Sequence, residues 1–280
     1  MTTAPELHPF FLAGASGPLF AVFHSPEASR FQGECFVFIP PFGEELNRSR
    51  RAVVLQAQKL ASMGIGVLVL DLFGCGDSGG EIADATWEHW LNDIDAAAGW
   101  LERERGATVA LWGLRLGAAL AVAAADRHPQ RYSRLLLWEP VIYGEAFLTQ
   151  VLRSRIAAAM TREEEVRETT GVLRQQLKDG ESLEVAGYTI TPVMAANIDA
   201  VDLAALLPRC TADVHWIEIA GDAARPLSEA ARRVIERWRQ AGISVHEHVE
   251  KAPRFWSLIE TTIAPDLVAA TCRQLGVNAP

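Results

Sequence analysis

Residues 111–120 read LWGLRLGAAL: an apolar strand running into a glycine turn and opening into a helix of small residues. The spacing Gly113-Leu114-Arg115-Leu116-Gly117 is that of G-x-S-x-G. In such a turn the glycines let strand and helix backbones approach closely, and the central residue stands exposed where the strand ends. The central residue here is Arg115. A strand–turn–helix of this kind requires further parallel strands on either side, so the flanking sequence tests it.

The flanks alternate strand and helix. PFFLAG, ASG and PLFAVFHS (9–25) predict an N-terminal hairpin. CFVFIPP (from Cys35) and IGVLVLDLFG (65–74) are unbroken apolar strands, as expected where both sheet faces are covered. Between them RSRRAVVLQAQKLASMG places Val53, Val54, Ala57, Leu60 and Ala61 at helical spacing. TWEHWLNDIDAAAGWLERERG predicts a helix capped by Thr86, whose Trp87, Trp90 and Trp100 serve packing. The strands ATVALWG, RLLLWEP, DVHWIEIAG and SVHEHVE follow, with helices between them and a last helix over about 262–275. The pattern predicts one α/β domain over 1–280, a mostly parallel central sheet with helices on both faces. Residues 145–200 break the rhythm: they are helical and charged, then irregular, and read as a helical cap insertion.

Composition narrows the partners. The formal net charge of −9 disfavours nucleic acid and anionic membranes. Hydrophobic residues at 49% and charged residues at 22% suit a large buried core. Cys35, Cys75, Cys210 and Cys272 are widely spaced and read as reduced thiols. The first 20 residues carry no secretory pattern, and the apolar run 116–125 is too short to cross a bilayer. A soluble cytoplasmic protein without membrane insertion is the expectation.

At this point the chain resembles the α/β-hydrolase superfamily. FIPPFGEELNRSRR (38–51) looks like its oxyanion loop, LVLDLFGCGDSGG (68–80) like its D-x-x-G-x-G-x-S turn, and IEIAGDAARP (217–226) like its acid-bearing segment. More narrowly, PFGEELNRSRR, DLFGCGDS, ATWEHWLNDI and LWGLRLGA are similar to the exosortase A system-associated hydrolases. That resemblance implies an α/β-hydrolase fold and a setting in exopolysaccharide production and PEP-CTERM protein sorting, with a possible partner protein from the same locus. It also implies ester or thioester hydrolysis where a triad is present.

The triad is not readable. A guanidinium is a permanent cation that neither attacks nor accepts a proton at ordinary pH. The histidine slot falls at Pro253, Arg254 and Phe255, and no histidine follows His248. The acid slot three residues past Gly221 is Ala224, with Asp222 shifted beside it. Backbone donors need no particular side chain, so the amides of Phe42 and Leu116 remain candidates for an oxyanion pair.

Two readings of Arg115 stand together. In one it joins those amides in gripping a carboxylate or phosphate. In the other it is neutralised by Glu44, Glu45, Asp71 or Glu139, since an unpaired buried charge is rare. Ser49, Cys75, Ser78 and Arg254 complete the candidate rim; Cys75 or Ser78 would serve as nucleophile only with an activating base. The His246-Glu247-His248 run lacks a third ligand at matching spacing, so no metal and no cofactor is expected. The functional expectation is an accessory binder of an anionic or acyl small molecule. Two alternatives stand beside it: a hydrolase using water oriented by Asp71, Glu139 or Asp222, and a protein-interaction scaffold.

Overall fold

Eight strands form the central sheet of the computed structural model, which describes residues 6–161 and 168–276. The strands are β1 (Glu6–Ala13), β2 (Pro18–Ser25), β3 (Glu34–Ile39), β4 (Gly66–Leu70), β5 (Thr108–Leu114), β6 (Leu135–Trp138), β9 (Val214–Ala220) and β10 (Val245–Lys251). They are ordered β1-β2-β4-β3-β5-β6-β9-β10. β1 and β2 form an antiparallel hairpin, β2 is antiparallel to β4, and the remaining neighbours are all parallel.

Successive strand residues point to opposite faces, so one run of apolar residues feeds two cores. Val37, Leu68, Leu111, Leu137 and Trp216 pack under α2 (Trp87–Arg105), α3 (Leu116–Arg127) and α7 (Glu229–Gln240). Phe36, Phe38, Trp112, Trp138 and Ile217 pack under α1 (Glu44–Ser62) and α8 (Pro265–Gln274). The Thr86 hydroxyl accepts the His89 amide at 3.2 Å and starts α2 as its sequence requires. Trp90 is buried and donates its indole N–H to Phe73 O at 3.1 Å, and Trp100 packs on Phe10 and Phe23.

Two boundaries differ from the sequence expectation. α1 begins at Glu44, because Glu44 and Glu45 in its first turn suit the positive end of the helix dipole. Ser49 is therefore interior to the helix and donates to Leu46 O at 3.0 Å, so it caps nothing. The last helix starts only at Pro265, whose fixed φ and missing N–H suit a first helical position.

Between β6 and β9 lie α4 (Gly144–Thr161), α5 (Thr170–Lys178), β7 (Leu183–Val185), β8 (Tyr188–Ile190) and α6 (Pro192–Asp199). Residues 183–190, which read as irregular in sequence, form a tight hairpin turning on Ala186 (φ 51°) and Gly187 (φ 83°). Alanine is rare at the first of two positive-φ positions, so the Asn-Gly signal that marks such turns is missing. Leu148, Leu152, Leu173, Ile190, Met194 and Ile198 belong to the same buried cluster as α2 and α3. Among the described residues no helix is long and apolar enough to cross a membrane.

Candidate functional site

Arg115 occupies the sharp turn between β5 and α3 with φ 56° and ψ −118°, a conformation that costs on the order of 1–3 kcal/mol in a non-glycine residue. Its neighbours show why the turn persists. A Cβ at Gly113 would lie 2.4 Å from Ala118 Cα and Gly117 O; one at Gly117 would lie 2.2 Å from Ile39 O. The strand-to-helix crossing thus presses directly on the loop that follows β3. Arg115 N donates to Trp138 O at 3.0 Å, and Arg115 O accepts from Ala118 N and Val141 N at 3.1 and 3.2 Å. The backbone is held on both sides, which leaves the side chain at the crest of the sheet.

The guanidinium is internally paired. Its Nε donates to Glu45 Oε1 at 3.2 Å, and Nη2 donates to Gln150 Oε1 at 3.4 Å. The cation lies 5.6 Å from the ring centroids of both Phe147 and Trp256. The arginine and glutamate side chains are only 12% and 17% exposed, so solvent screens the pair weakly. Of the four acids proposed from sequence, Glu45 is the partner. Its other oxygen, Oε2, is buried with no hydrogen bond among the described residues. Burial pushes the Glu45 carboxyl up, against the opposing pull of Arg115.

The other three acids are placed differently. Asp71 binds Arg50 Nη2 through both oxygens at 3.3 and 3.2 Å and accepts the Asp77 amide at 3.1 Å. Glu44 sits beside Asn47 and Arg48 on the first turns of α1. Glu139, at the end of β6, accepts the Ile219 amide at 2.6 Å, and burial raises its carboxyl. Asp222 lies in an exposed turn and accepts the Ala224 amide at 3.0 Å.

Neither candidate replacement nucleophile is activated. Burial, reinforced by Asp71 and Asp93, pushes the Cys75 thiol up to about 12, so it stays protonated at neutral pH. Ser78 Oγ donates to Asp71 O at 2.6 Å and accepts the Phe20 amide at 2.8 Å, which fastens the turn to β2. The oxyanion candidates fare better. Among the described residues no hydrogen bond engages the amide of Phe42 or Leu116. The contact between Gly117 and the Ile39–Pro40 carbonyls sets their two loops side by side.

Two cavities meet at this crest. One, of about 360 Å³, is bounded by Phe42, Glu45, Phe147, Val151, Tyr188 and Trp256. The other, of about 260 Å³, is bounded by Arg115, Glu139, Glu218, Arg225, Ser228 and Arg254. Phe147 and Gln150 line both. Neither has a histidine in its lining; the histidine slot is filled by Arg254, while His248 on β10 pairs with Glu250 at 2.9 Å. Ser49 and Asp71 line a third, separate cavity beside α1.

Sequence reasoning misses Phe147, Gln150, Trp256, Glu218 and Arg225. A signal exists for α4: Phe147, Gln150, Val151, Ser154 and Ala158 fall at helical spacing along one face. Their mixed polarity hides them among ordinary amphipathic helices.

The family model described as serine aminopeptidase, S33, matches residues 37–183, just over half of the chain. No curated protein matches the sequence. Among solved structures, Est1E from Butyrivibrio proteoclasticus with ferulic acid bound aligns at TM-score 0.65 and 14% identity, covering 95% of this chain and 97% of that one. A putative hydrolase from Agrobacterium vitis aligns at 0.60 and 16%, covering 99% and 100%. Mouse alpha/beta hydrolase domain-containing protein 10 aligns at 0.58 and 16%, covering 96% and 98%. At these identities the likeness is one of fold.

Proposed function

The chain belongs to the serine aminopeptidase S33 family and has the α/β-hydrolase fold, and from that premise we propose that it binds a small anionic or acyl molecule without serine-hydrolase chemistry. One observation carries the reading. At the crest where the nucleophile would stand, Arg115 is ion-paired to Glu45 and bonded to Gln150, and no imidazole lines either adjoining cavity. Attack on a carbonyl needs a lone pair and a base to free it; an arginine hemmed by aromatic rings supplies neither. What the site keeps is binding capacity: two backbone amides without acceptors among the described residues, two cavities, and arginines at the edge of one of them.

Residues 145–200 serve in this proposal as a cap, because α4 and the β7–β8 hairpin wall the larger cavity. The resemblance of its motifs to those of the exosortase A system-associated hydrolases supports an accessory role in exopolysaccharide production or PEP-CTERM sorting, on the cytoplasmic side and beside a partner protein. A second reading has one observation in its favour. Glu139 lines the same cavity as Arg115, so a water held by its carboxylate would serve as the nucleophile of a non-standard esterase.

Labelling with a fluorophosphonate and turnover of p-nitrophenyl esters separate the readings. No labelling is expected, and no hydrolysis above buffer from wild type or from Arg115→Ser, since no histidine stands ready to activate the new hydroxyl. Labelling at any serine, or hydrolysis by Arg115→Ser, overturns the proposal. Ester hydrolysis without labelling that falls in Glu139→Gln favours the water mechanism.

A further inference from the structure

The two cavities differ in chemistry yet share a wall. The larger is apolar over most of its lining, with Phe42, Phe147, Val151, Val185, Ile190 and Trp256, and its 360 Å³ falls within the range of small-molecule sites. The smaller is walled by three arginines and two glutamates. Their charges are not equally available. Arg115 is occupied by Glu45. Glu218 accepts both the amide and the hydroxyl of Ser228, at 2.9 and 2.5 Å, and so fixes the residue that caps α7. Glu139 accepts the Ile219 amide. Arg225 and Arg254 remain: both are exposed and neither forms an ion pair among the described residues, although Arg254 opposes the burial that raises the Glu139 carboxyl. Each acid in the chamber already accepts a backbone N–H, while neither cation makes a side-chain hydrogen bond or ion pair among the described residues.

We infer that the two chambers form one bipartite site for an amphiphile, with an apolar body in the larger chamber and an oxyanion head, carboxylate or phosphate, between Arg225 and Arg254. The inference rests on the proposal that this crest is a binding site, and it moves the anion from Arg115 to these two arginines. Phe147 and Gln150 line both chambers, so head and body chambers adjoin at these two residues. The Arg115–Glu45–Gln150 bridge stands at their junction. A guanidinium presents paired N–H groups that match a carboxylate or phosphate edge, which makes arginine suited to gripping such a head. An uncharged ligand of the same length would leave both arginines unused, and a free anion would leave the apolar chamber empty.

Calorimetric titration of the full chain with octyl phosphate, octanoate, octanol and inorganic phosphate tests this. Either octyl oxyanion should bind at least about tenfold more tightly than octanol and inorganic phosphate; the tighter of the two identifies the head group. In R225Q/R254Q, which alters only exposed side chains, oxyanion affinity should fall about tenfold with octanol unchanged. Filling the apolar chamber by V151W should abolish binding of every octyl compound, with the melting temperature recorded to confirm folding. Equal affinity for octanoate and octanol, unchanged oxyanion affinity in R225Q/R254Q, or no binding by any probe overturns the inference. Turnover of p-nitrophenyl octanoate on the same samples keeps the two claims apart. Hydrolysis would end the non-catalytic reading and leave the amphiphile site standing; absent binding with absent hydrolysis would end the amphiphile site alone.

Discussion

Helix α1 makes two arginine–carboxylate pairs at the carboxyl edge of the sheet, with opposite polarity. At the end of β4 the helix supplies Arg50 and the strand supplies Asp71; at the end of β5 the helix supplies Glu45 and the turn supplies Arg115. In the first pair the carboxylate is the buried partner, 4% exposed against 43% for its arginine. Its oxygens accept from two donors, Arg50 Nη2 shared between them and the Asp77 amide. In the second pair both side chains are largely buried, yet Glu45 keeps one oxygen with no donor among the described residues. A buried carboxylate whose valences are filled holds a loop in place. One left half-satisfied carries a desolvation cost that no donor among the described residues offsets.

The contrast can be broken most forcefully at the elbow itself. Gly113→Ala forces a Cβ to within 2.4 Å of backbone atoms on the facing helix, and backbone cannot yield as a flexible side chain does. A loss of more than about 4 kcal/mol is expected, enough to abolish soluble folded protein. Circular dichroism and urea unfolding would show it; a cooperative transition near wild type would mean that strand and helix do not cross so closely.

Asp71→Asn replaces an acceptor-only group with one that must aim an N–H at Arg50 or at the Asp77 amide, and should cost about 2–3 kcal/mol. Glu45→Gln keeps an acceptor for Arg115 Nε but leaves a guanidinium only 12% exposed without its counter-charge, so it should cost more, about 3–4 kcal/mol at pH 7. Urea denaturation of both variants decides it. Equal losses would show that the two pairs do the same structural work.

A smaller effect concerns the turn beside Asp71. Asp93 is buried, accepts the Phe73 amide at 2.8 Å, and burial pushes its carboxyl up to about 6 from an ordinary 3.8. The unfolded chain releases this proton first as pH rises, so the contribution is full below about 4 and lost by about 6. Asp93→Asn keeps the acceptor without the titration. From pH 4 to pH 7 the variant should gain on the order of 2 kcal/mol relative to wild type. Taking the difference between the two proteins cancels the titrations they share, including those of His24 and His215, which burial lowers to about 4. A difference flat with pH would show that Asp93 ionises normally in the folded protein.

Much of the architecture is legible from residue order because its causes are local or periodic. Unbroken apolar strands, helical spacing in α1 and α2, the Thr86 cap and the paired glycines around Arg115 each act over a few residues. The β7–β8 hairpin escapes because Ala186-Gly187 lacks the usual turn chemistry. The site escapes further: its walls come from α1, α4, the end of β6, the start of α7 and the turn after β10, separated by tens of residues with no shared pattern.

By itself the sequence determined the parallel sheet, the elbow at residues 113–117, and the arginine at its centre, since these follow from residue type and short-range periodicity. Tertiary structure alone decided that Glu45, among four nearby acids, meets Arg115, that Asp71 serves Arg50, and that Arg225 and Arg254 form no ion pair among the described residues. Ion pairing depends on distances of 3 to 4 Å between side chains far apart in the chain, and only the folded packing of α1 and the 145–200 segment over the sheet sets them.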